Sequence, residues 1–350
     1  MDFVLSDDQR MLSDAVQGML QDTCPRSALR AMAERHEYFD ANRWARIVEM
    51  GLPGVAAPAD SGGLGLGEIE LMLVAEASGQ VLLPEPLVEH AGVAVPLLAA
   101  LAPDSAELKA AVSGKMLIAV ADPLDGRVRG AHGADALLLP HEGSLHLVPK
   151  AEVRLKVRPA FDELHPLYEV EWTPATRTQL AAADVAVSAW REALYRGALL
   201  AAAQCLGIAQ SAISLAVEYA KVREQFGKAI GTNQAVKHLI ADQQVRLSFA
   251  RPVVLAAAMD FAARDSVSWT RASHAKLAAA TAAERASRMA IQIFGAMGFS
   301  WEADVHFFLK RSLSLKLAWG GPAFHREWVA SHVLDGPIGA ENTFSRAEAR

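Results

Sequence analysis

Cysteine is nearly missing from this chain. Two in 350 residues, Cys24 and Cys205, stand far apart, and neither belongs to a C-x-x-C pair. That excludes a disulfide scaffold and a cysteine zinc site, and it fits a reducing cytoplasmic setting. Charge is sparse as well, at 21% of residues with a net charge of −6. No basic stripe is visible, so nucleic acid is not an expected partner. H-E-x-x-H, G-x-S-x-G and Walker A patterns are all missing, which removes the common zinc-hydrolase, serine-hydrolase and nucleotide-hydrolase readings. The start, Met1-Asp2-Phe3, shows no basic segment ahead of an apolar core, so no signal peptide is expected. Gly62-Gly63-Leu64-Gly65-Leu66-Gly67 follows a loop rather than a strand and lacks a βαβ setting, so it reads as a flexible loop.

What the chain has is apolar mass. Hydrophobic residues make up 52% of it, enough at this length for two or three cores. Ala198 to Val217 carries no charge and is long enough to cross a bilayer. Gln204, Gln210, Ser211 and Ser214 interrupt it and alanine dominates it, so the reading is a buried bundle helix with no membrane span.

Along the chain, residues 1–113 read as an all-helical domain. Ser6 and Gln9 form a capping-box pattern ahead of Met11, Leu12, Ala15, Val16, Met19 and Leu20 at helical spacing. Further helices are expected around Trp44, Ile47 and Val48, over 68–78, and up to about Ala102. Residues 114–178 read as a small β-barrel. A strand is expected at Leu117–Val120, a hairpin over 136–139 and 145–148, and alternating strands around 153–157 and 168–172. Residues 179–338 read as a four-helix bundle with helices over 184–221, 232–264, 266–296 and 302–333. Residues 339–350 read as a loose tail. The fold class is therefore mainly α with a small β-barrel.

This order resembles the acyl-CoA dehydrogenase family, and local segments carry the resemblance. Arg223-Glu224-Gln225-Phe226-Gly227-Lys228 is similar to the family's R-x-Q-F-G segment, and Ile230 to Asp242 to the helix that follows it. Gln292-Ile293-Phe294-Gly295-Ala296-Met297-Gly298-Phe299 resembles its Q-x-x-G-G-x-G loop. The N-terminal Leu5-Ser6-Asp7-Asp8-Gln9-Arg10 and the glycine loop at 62–65 match as well. The resemblance implies FAD as cofactor, acyl-CoA as substrate and electron-transfer flavoprotein as acceptor. It implies that Arg223, Gln225, Phe226, Ile230, Asn233, Gln292, Gly295 and Gly298 hold flavin, often that of a neighbouring subunit. A guanidinium can bind a pyrophosphate through paired hydrogen bonds, and glycines allow close backbone approach.

The chain departs from the family at the carboxylate that takes the α-proton. The alignment puts Gly320, in Trp319-Gly320-Gly321-Pro322, where the Glu of a Y-E-G-T-like motif stands. The alternative base position, counted back from Arg223, falls on Gly197. A glycine has no side chain to accept a proton. Glu192, five residues earlier, lies on a different helix face. Glu302 reads as a salt-bridge residue, and nothing marks Glu327 as catalytic. His325 and His332 read as plain surface or core histidines. The flavin-covering loop, nearest to Ala121-Asp122-Pro123-Leu124-Asp125-Gly126, has lost its hydroxyls, and no W-I-T-like strand follows. These departures resemble the non-catalytic subunit of bacterial heteromeric acyl-CoA dehydrogenases, which pairs with a catalytic chain in a heterotetramer. Two alternatives stay open: a self-sufficient homo-oligomeric enzyme with an unrecognised base, and a non-enzymatic assembly subunit without flavin.

Overall fold

The computed structural model describes residues 4–335, so the tail at 339–350 lies outside the described residues. Helix α1 (Asp7–Thr23) begins at the expected box. The Ser6 hydroxyl accepts from the Gln9 N–H at 3.2 Å, and the Gln9 side chain accepts from the Ser6 N–H at 3.0 Å. Helix α2 (Arg26–Arg35), short and entered through Pro25, escaped the sequence reading. Helix α3 (Ala41–Glu49) is capped by Asp40 and buries Trp44 and Ile47. Helix α4 (Glu68–Val81) follows. Then α5 (Leu87–Glu89) passes through a π turn at His90–Ala94 into α6 (Val95–Leu101). A second helix missed by the sequence reading, α7 (Ala106–Val112), is capped by Ser105.

The glycine loop at 62–67 is not the flexible segment expected. Leu64, Gly65 and Leu66 donate their N–H groups to the carbonyls of Gly54, Ala57 and Val55 at 2.9–3.0 Å. A Cβ on Gly63 would stand 2.2 Å from the Ala57 carbonyl oxygen, so the glycine is there for close packing.

The expected small β-barrel is built from two sheets around a core of its own, which includes Leu137, Leu139, Val148 and Tyr168. One sheet has β1 (Ile118–Val120) parallel to β3 (Ala136–His141), then β4 (Ser144–Pro149) and β7 (Gln179–Ala182). Glu142 (φ 42°) and Gly143 (φ 76°) make the two-residue hairpin turn between β3 and β4, whose positive angles match the strand twist. The other sheet pairs β2 (Val128–Arg129), β6 (Leu167–Trp172) and β5 (Val153–Arg158). His90 joins this part to the helices: its Nε2 donates to the Ala111 carbonyl at 3.1 Å and its Nδ1 accepts from the Ile118 N–H at 3.0 Å.

The C-terminal region is helical. Helix α8 (Ala183–Val222) contains the uncharged stretch, and 78% of its most apolar window is buried, as a bundle helix requires. A hairpin of β8 (Glu224–Gln225) and β9 (Lys228–Ala229) leads to α9 (Gln234–Asp260) and α10 (Ser266–Phe294). The expected fourth helix is two: α11 (Val305–Leu317) and α12 (Pro322–Asp335). The break falls at Trp319 (φ 57°) and Gly320 (φ 97°), both left-handed, and Pro322 starts the new helix. Lys276 of α10 fixes this end by donating to the carbonyls of Leu315 at 2.6 Å and Ala318 at 2.5 Å. Helices α4 and α8 touch backbone to backbone: a Cβ on Gly79 would lie 2.1 Å from the Gln204 carbonyl oxygen, and one on Gly207 2.1 Å from that of Glu76.

Candidate functional site

The two segments singled out for the cofactor meet at one end of the bundle. Tyr219, in the last turn of α8, stacks on Phe294 at the end of α10, with ring centroids 4.1 Å apart and planes at 13°. Arg223 follows Tyr219 by one turn and donates its N–H to the Tyr219 carbonyl at 2.8 Å. Its guanidinium is exposed and makes no ion pair among the described residues. The chain then folds back on itself. Ile230 donates its N–H to the Arg223 carbonyl at 2.8 Å, and Gly231 lies against the Ala220 carbonyl of α8. Gln225 pairs with Lys228 in the β8–β9 hairpin, and Phe226 and Gly227 form its tip, both at positive φ. Phe226 is 99% exposed. Asn233 stands at the start of α9, half-buried, and its side chain makes no capping hydrogen bond.

On the other segment, Gln292 is exposed. Gly295 ends α10 at φ 61°, ψ −136°, a conformation open essentially only to glycine, and a Cβ added there would meet nothing within 4 Å. Gly298 is packed under Ile291, where a Cβ would meet the carbonyl oxygen at 2.8 Å. Met297, Phe299 and Trp301 are exposed beside it. This end therefore presents a cation, unspent amides, an open glycine turn and bare aromatic surface, all facing outward. Such a set suits the pyrophosphate and apolar parts of a dinucleotide that is held from outside this chain's own core.

At the two glycines where the resemblance puts the base, neighbours fill the side-chain space. Gly197 lies inside α8, and a Cβ there would stand 2.2 Å from Cδ2 of the Trp319 indole. Gly320 follows Trp319 in the α11–α12 break, and a Cβ there would stand 2.8 Å from His325 Nε2 and from Phe324 Cδ1. Asp122 and His325, which the sequence reading gave no such role, hold the break. The Asp122 carboxylate accepts the Trp319 N–H at 2.7 Å and stands 3.7 Å from Arg129. His325 Nε2 donates to the Trp319 carbonyl at 2.9 Å, and its Nδ1 accepts from the Ser273 hydroxyl at 3.0 Å. Burial holds His325 neutral, lowering it to about 4, and pushes Lys276 down to about 8. Nothing local in the sequence announces these contacts; the run Gly320-Gly321-Pro322 was the one available signal of the break.

The 121–126 segment forms an ordered turn: Asp122 also accepts the Leu124 N–H at 3.1 Å, and Gly126 donates to the Asp122 carbonyl at 2.8 Å. Its carboxylate is committed to the bundle, and the turn presents no hydroxyl. This turn does not fit the cradle of a flavin ring, whereas the outward set around Arg223 fits the nucleotide half.

Glu192 and Glu68 are spoken for. Glu192 pairs with Arg196 at 2.9 Å and Arg264 at 3.3 Å, and Glu68 shares Arg196 at 2.5 Å. The salt bridge expected of Glu302 belongs instead to Asp304, which binds Arg30 at 2.6 Å; Glu302 gives Arg30 only its backbone carbonyl, at 2.8 Å. Glu89, the last residue of α5, is buried, and that burial raises its carboxyl above the usual carboxylate range.

Residues 6–114 match the acyl-CoA dehydrogenase N-terminal domain, and residues 179–334 match the acyl-CoA dehydrogenase C-terminal domain. The chain is 34% identical over 337 residues to acyl-CoA dehydrogenase FadE34 of Mycobacterium tuberculosis, covering 88% of this chain and 45% of that protein. It therefore spans less than half the length of that relative. With acyl-CoA dehydrogenase IpdE2 of the same organism it shares 29% identity, over 87% of this chain and 91% of that protein. Among solved structures, the ChsE4-ChsE5 complex from Mycobacterium tuberculosis superposes with a TM-score of 0.85 at 24% identity, over 97% of this chain and 100% of that chain. Butyryl-CoA dehydrogenase from Megasphaera elsdenii does so with a TM-score of 0.83 at 19% identity, over 95% and 100%.

Proposed function

Because the chain belongs to the acyl-CoA dehydrogenase family, we propose that it is a subunit of an FAD-dependent acyl-CoA dehydrogenase that lends a cofactor half-site to a partner chain, which supplies the catalytic carboxylate. One asymmetry carries the reading. The Arg223 end is open and faces outward, while both base positions are glycines whose side-chain space is filled by neighbours.

In this reading Arg223 neutralises the pyrophosphate of the partner's FAD. Gly295 and Gly298 let the backbone approach the nucleotide, Gln225, Asn233 and Gln292 give it polar edges, and Phe226 and Ile230 give it an apolar wall. Flavin chemistry, when the cofactor is bound, is uptake of the hydride from the acyl β-carbon. This chain's residues bind and orient; neither Gly197 nor Gly320 can take the α-proton. Electron-transfer flavoprotein is the natural acceptor by family resemblance. The exposed Phe226, Phe299 and Trp301 support a second chain that covers them, since apolar surface of this kind gains from burial. The ChsE4-ChsE5 relative is by its name a complex of two chains, and a pairing of that type is the assembly proposed here.

The test is flavin content. Co-expressed with a neighbouring acyl-CoA dehydrogenase chain that carries a Glu base, the wild type should yield a yellow complex. Arg223→Ala should lower its FAD-to-protein ratio several-fold without dispersing the complex. An unchanged ratio would count against the half-site and favour an assembly role. A yellow, active protein from this chain alone would favour a self-sufficient enzyme instead.

A further inference from the structure

We infer that Trp319 is a built-in plug: its indole fills the slot beside Gly197, so that this chain admits no acyl chain to its own bundle. The inference rests on the reading that positions 197 and 320 are the family's base positions. It adds that the site is physically shut as well as chemically empty.

The fit is mutual. Atoms Cδ2, Cε3 and Cε2 of the indole lie 2.2, 2.4 and 2.6 Å from where a Gly197 Cβ would stand. The face of the ring therefore lies flat on the bare backbone of α8. A glycine inside a helix costs about 1 kcal/mol relative to alanine, so a site that keeps one uses the space. Trp319 is only 4% exposed. It holds a left-handed backbone at φ 57°, which costs about 1–2 kcal/mol for a residue with a side chain. Such a conformation persists where its surroundings over-determine it. Here they do. Asp122 takes its N–H from the β part, and His325 donates to its carbonyl from α12. Gly320, at φ 97°, lets the chain turn directly after it. On α8, Tyr195 stacks on Trp269 at 5.2 Å between ring centroids and packs against Trp328 at 5.4 Å, so aromatic rings also close the neighbouring space. The plug is thus pinned by the β part and by α12 and seated on α8.

The experiment uses the full chain purified alone and titrates it with hexanoyl-CoA by calorimetry. The wild type should show no saturable binding. Trp319→Ala should gain it, at one site per chain and at least about ten-fold tighter than any residual wild-type affinity. A wild type that binds one equivalent would overturn the inference, and so would a Trp319→Ala chain that melts cooperatively yet gains no binding. If Trp319→Ala does not fold, the milder Trp319→Leu takes its place, and Gly197→Ala is added to both backgrounds. The added methyl should lower the melting temperature of the wild type and leave that of Trp319→Leu nearly unchanged. Equal losses in both would overturn the inference. Because these readouts need neither flavin nor a partner, their failure is distinct from failure of the Arg223→Ala test.

Discussion

Gly320 shows how little a missing side chain says by itself. Restoring Glu there would place a Cβ against His325 and Phe324 on a backbone at φ 97°. Gly320→Glu is therefore expected to leave the chain alone without dehydrogenase activity and to destabilise it by about 1–3 kcal/mol, read from urea midpoints beside an acyl-CoA oxidation assay. Its neighbour His325 gives a pH prediction. Its ordinary value is 6.5 and its folded value about 4, so between these the unfolded chain binds the extra proton. The stability it contributes is complete above pH 6.5 and is lost as pH falls through 4, by about 3 kcal/mol. Subtracting the pH profile of His325→Gln from that of the wild type should leave this loss; two parallel profiles would contradict it. At this scale the sequence disclosed the two glycines, because a resemblance points to positions. It did not disclose Asp122 or His325 as their keepers, because a hydrogen bond from Trp319 to Asp122 joins residues with no shared local pattern.

Elements were read well where a local rule governs them. The Ser6–Gln9 box marked the start of α1, and the uncharged stretch of α8 was recognised as buried by its glutamines and serines. Short pieces were missed: α7 and β2 hold too few residues to display a period, and α2 shows only Leu29, Met32 and Ala33 as its buried face. The α11–α12 break was missed because the apolar spacing on its two sides reads as one helix, and a tryptophan in left-handed conformation cannot be anticipated from propensity. The closeness of α4 and α8 was also out of view, since each contact glycine is spaced for a partner helix and not for its own. Gly207→Ala should force these backbones apart, because its Cβ would lie 2.1 Å from the Glu76 carbonyl oxygen. A loss of about 2–3 kcal/mol in chemical denaturation is expected, against nearly none for Gly18→Ala, where the space is open.

Across the whole molecule, buried ion pairs tie the parts together. Arg311 of α11 binds Asp162 of the β part at 2.5 Å and donates to the Leu83 carbonyl of the N-terminal helices at 3.1 Å. Within the N-terminal helices, Arg43 and Glu85 make a second buried pair at 2.6 Å. Removing one partner strands the other charge in a dry interior. Arg311→Leu should therefore cost about 3–5 kcal/mol and should separate the unfolding of the strands from that of the bundle. Circular dichroism and tryptophan fluorescence would then give different midpoints, where the wild type gives one. The three-part order was legible in sequence because the hydrophobic period changes near Lys115 and again near Ala181. The seams were not, because each charge in them has its partner in a distant segment.

Helix α8 joins the shut site to the open one. Gly197 and Arg223 stand on the same 40-residue rod, roughly 39 Å apart at 1.5 Å per residue. A rod of that length transmits position but not local repacking. Substitutions could accumulate around Gly197 without moving Arg223, and a partner that docks at Arg223 meets the same spacing whatever happens at the far end. The helix thus makes the surroundings of Gly197 and of Arg223 separately mutable.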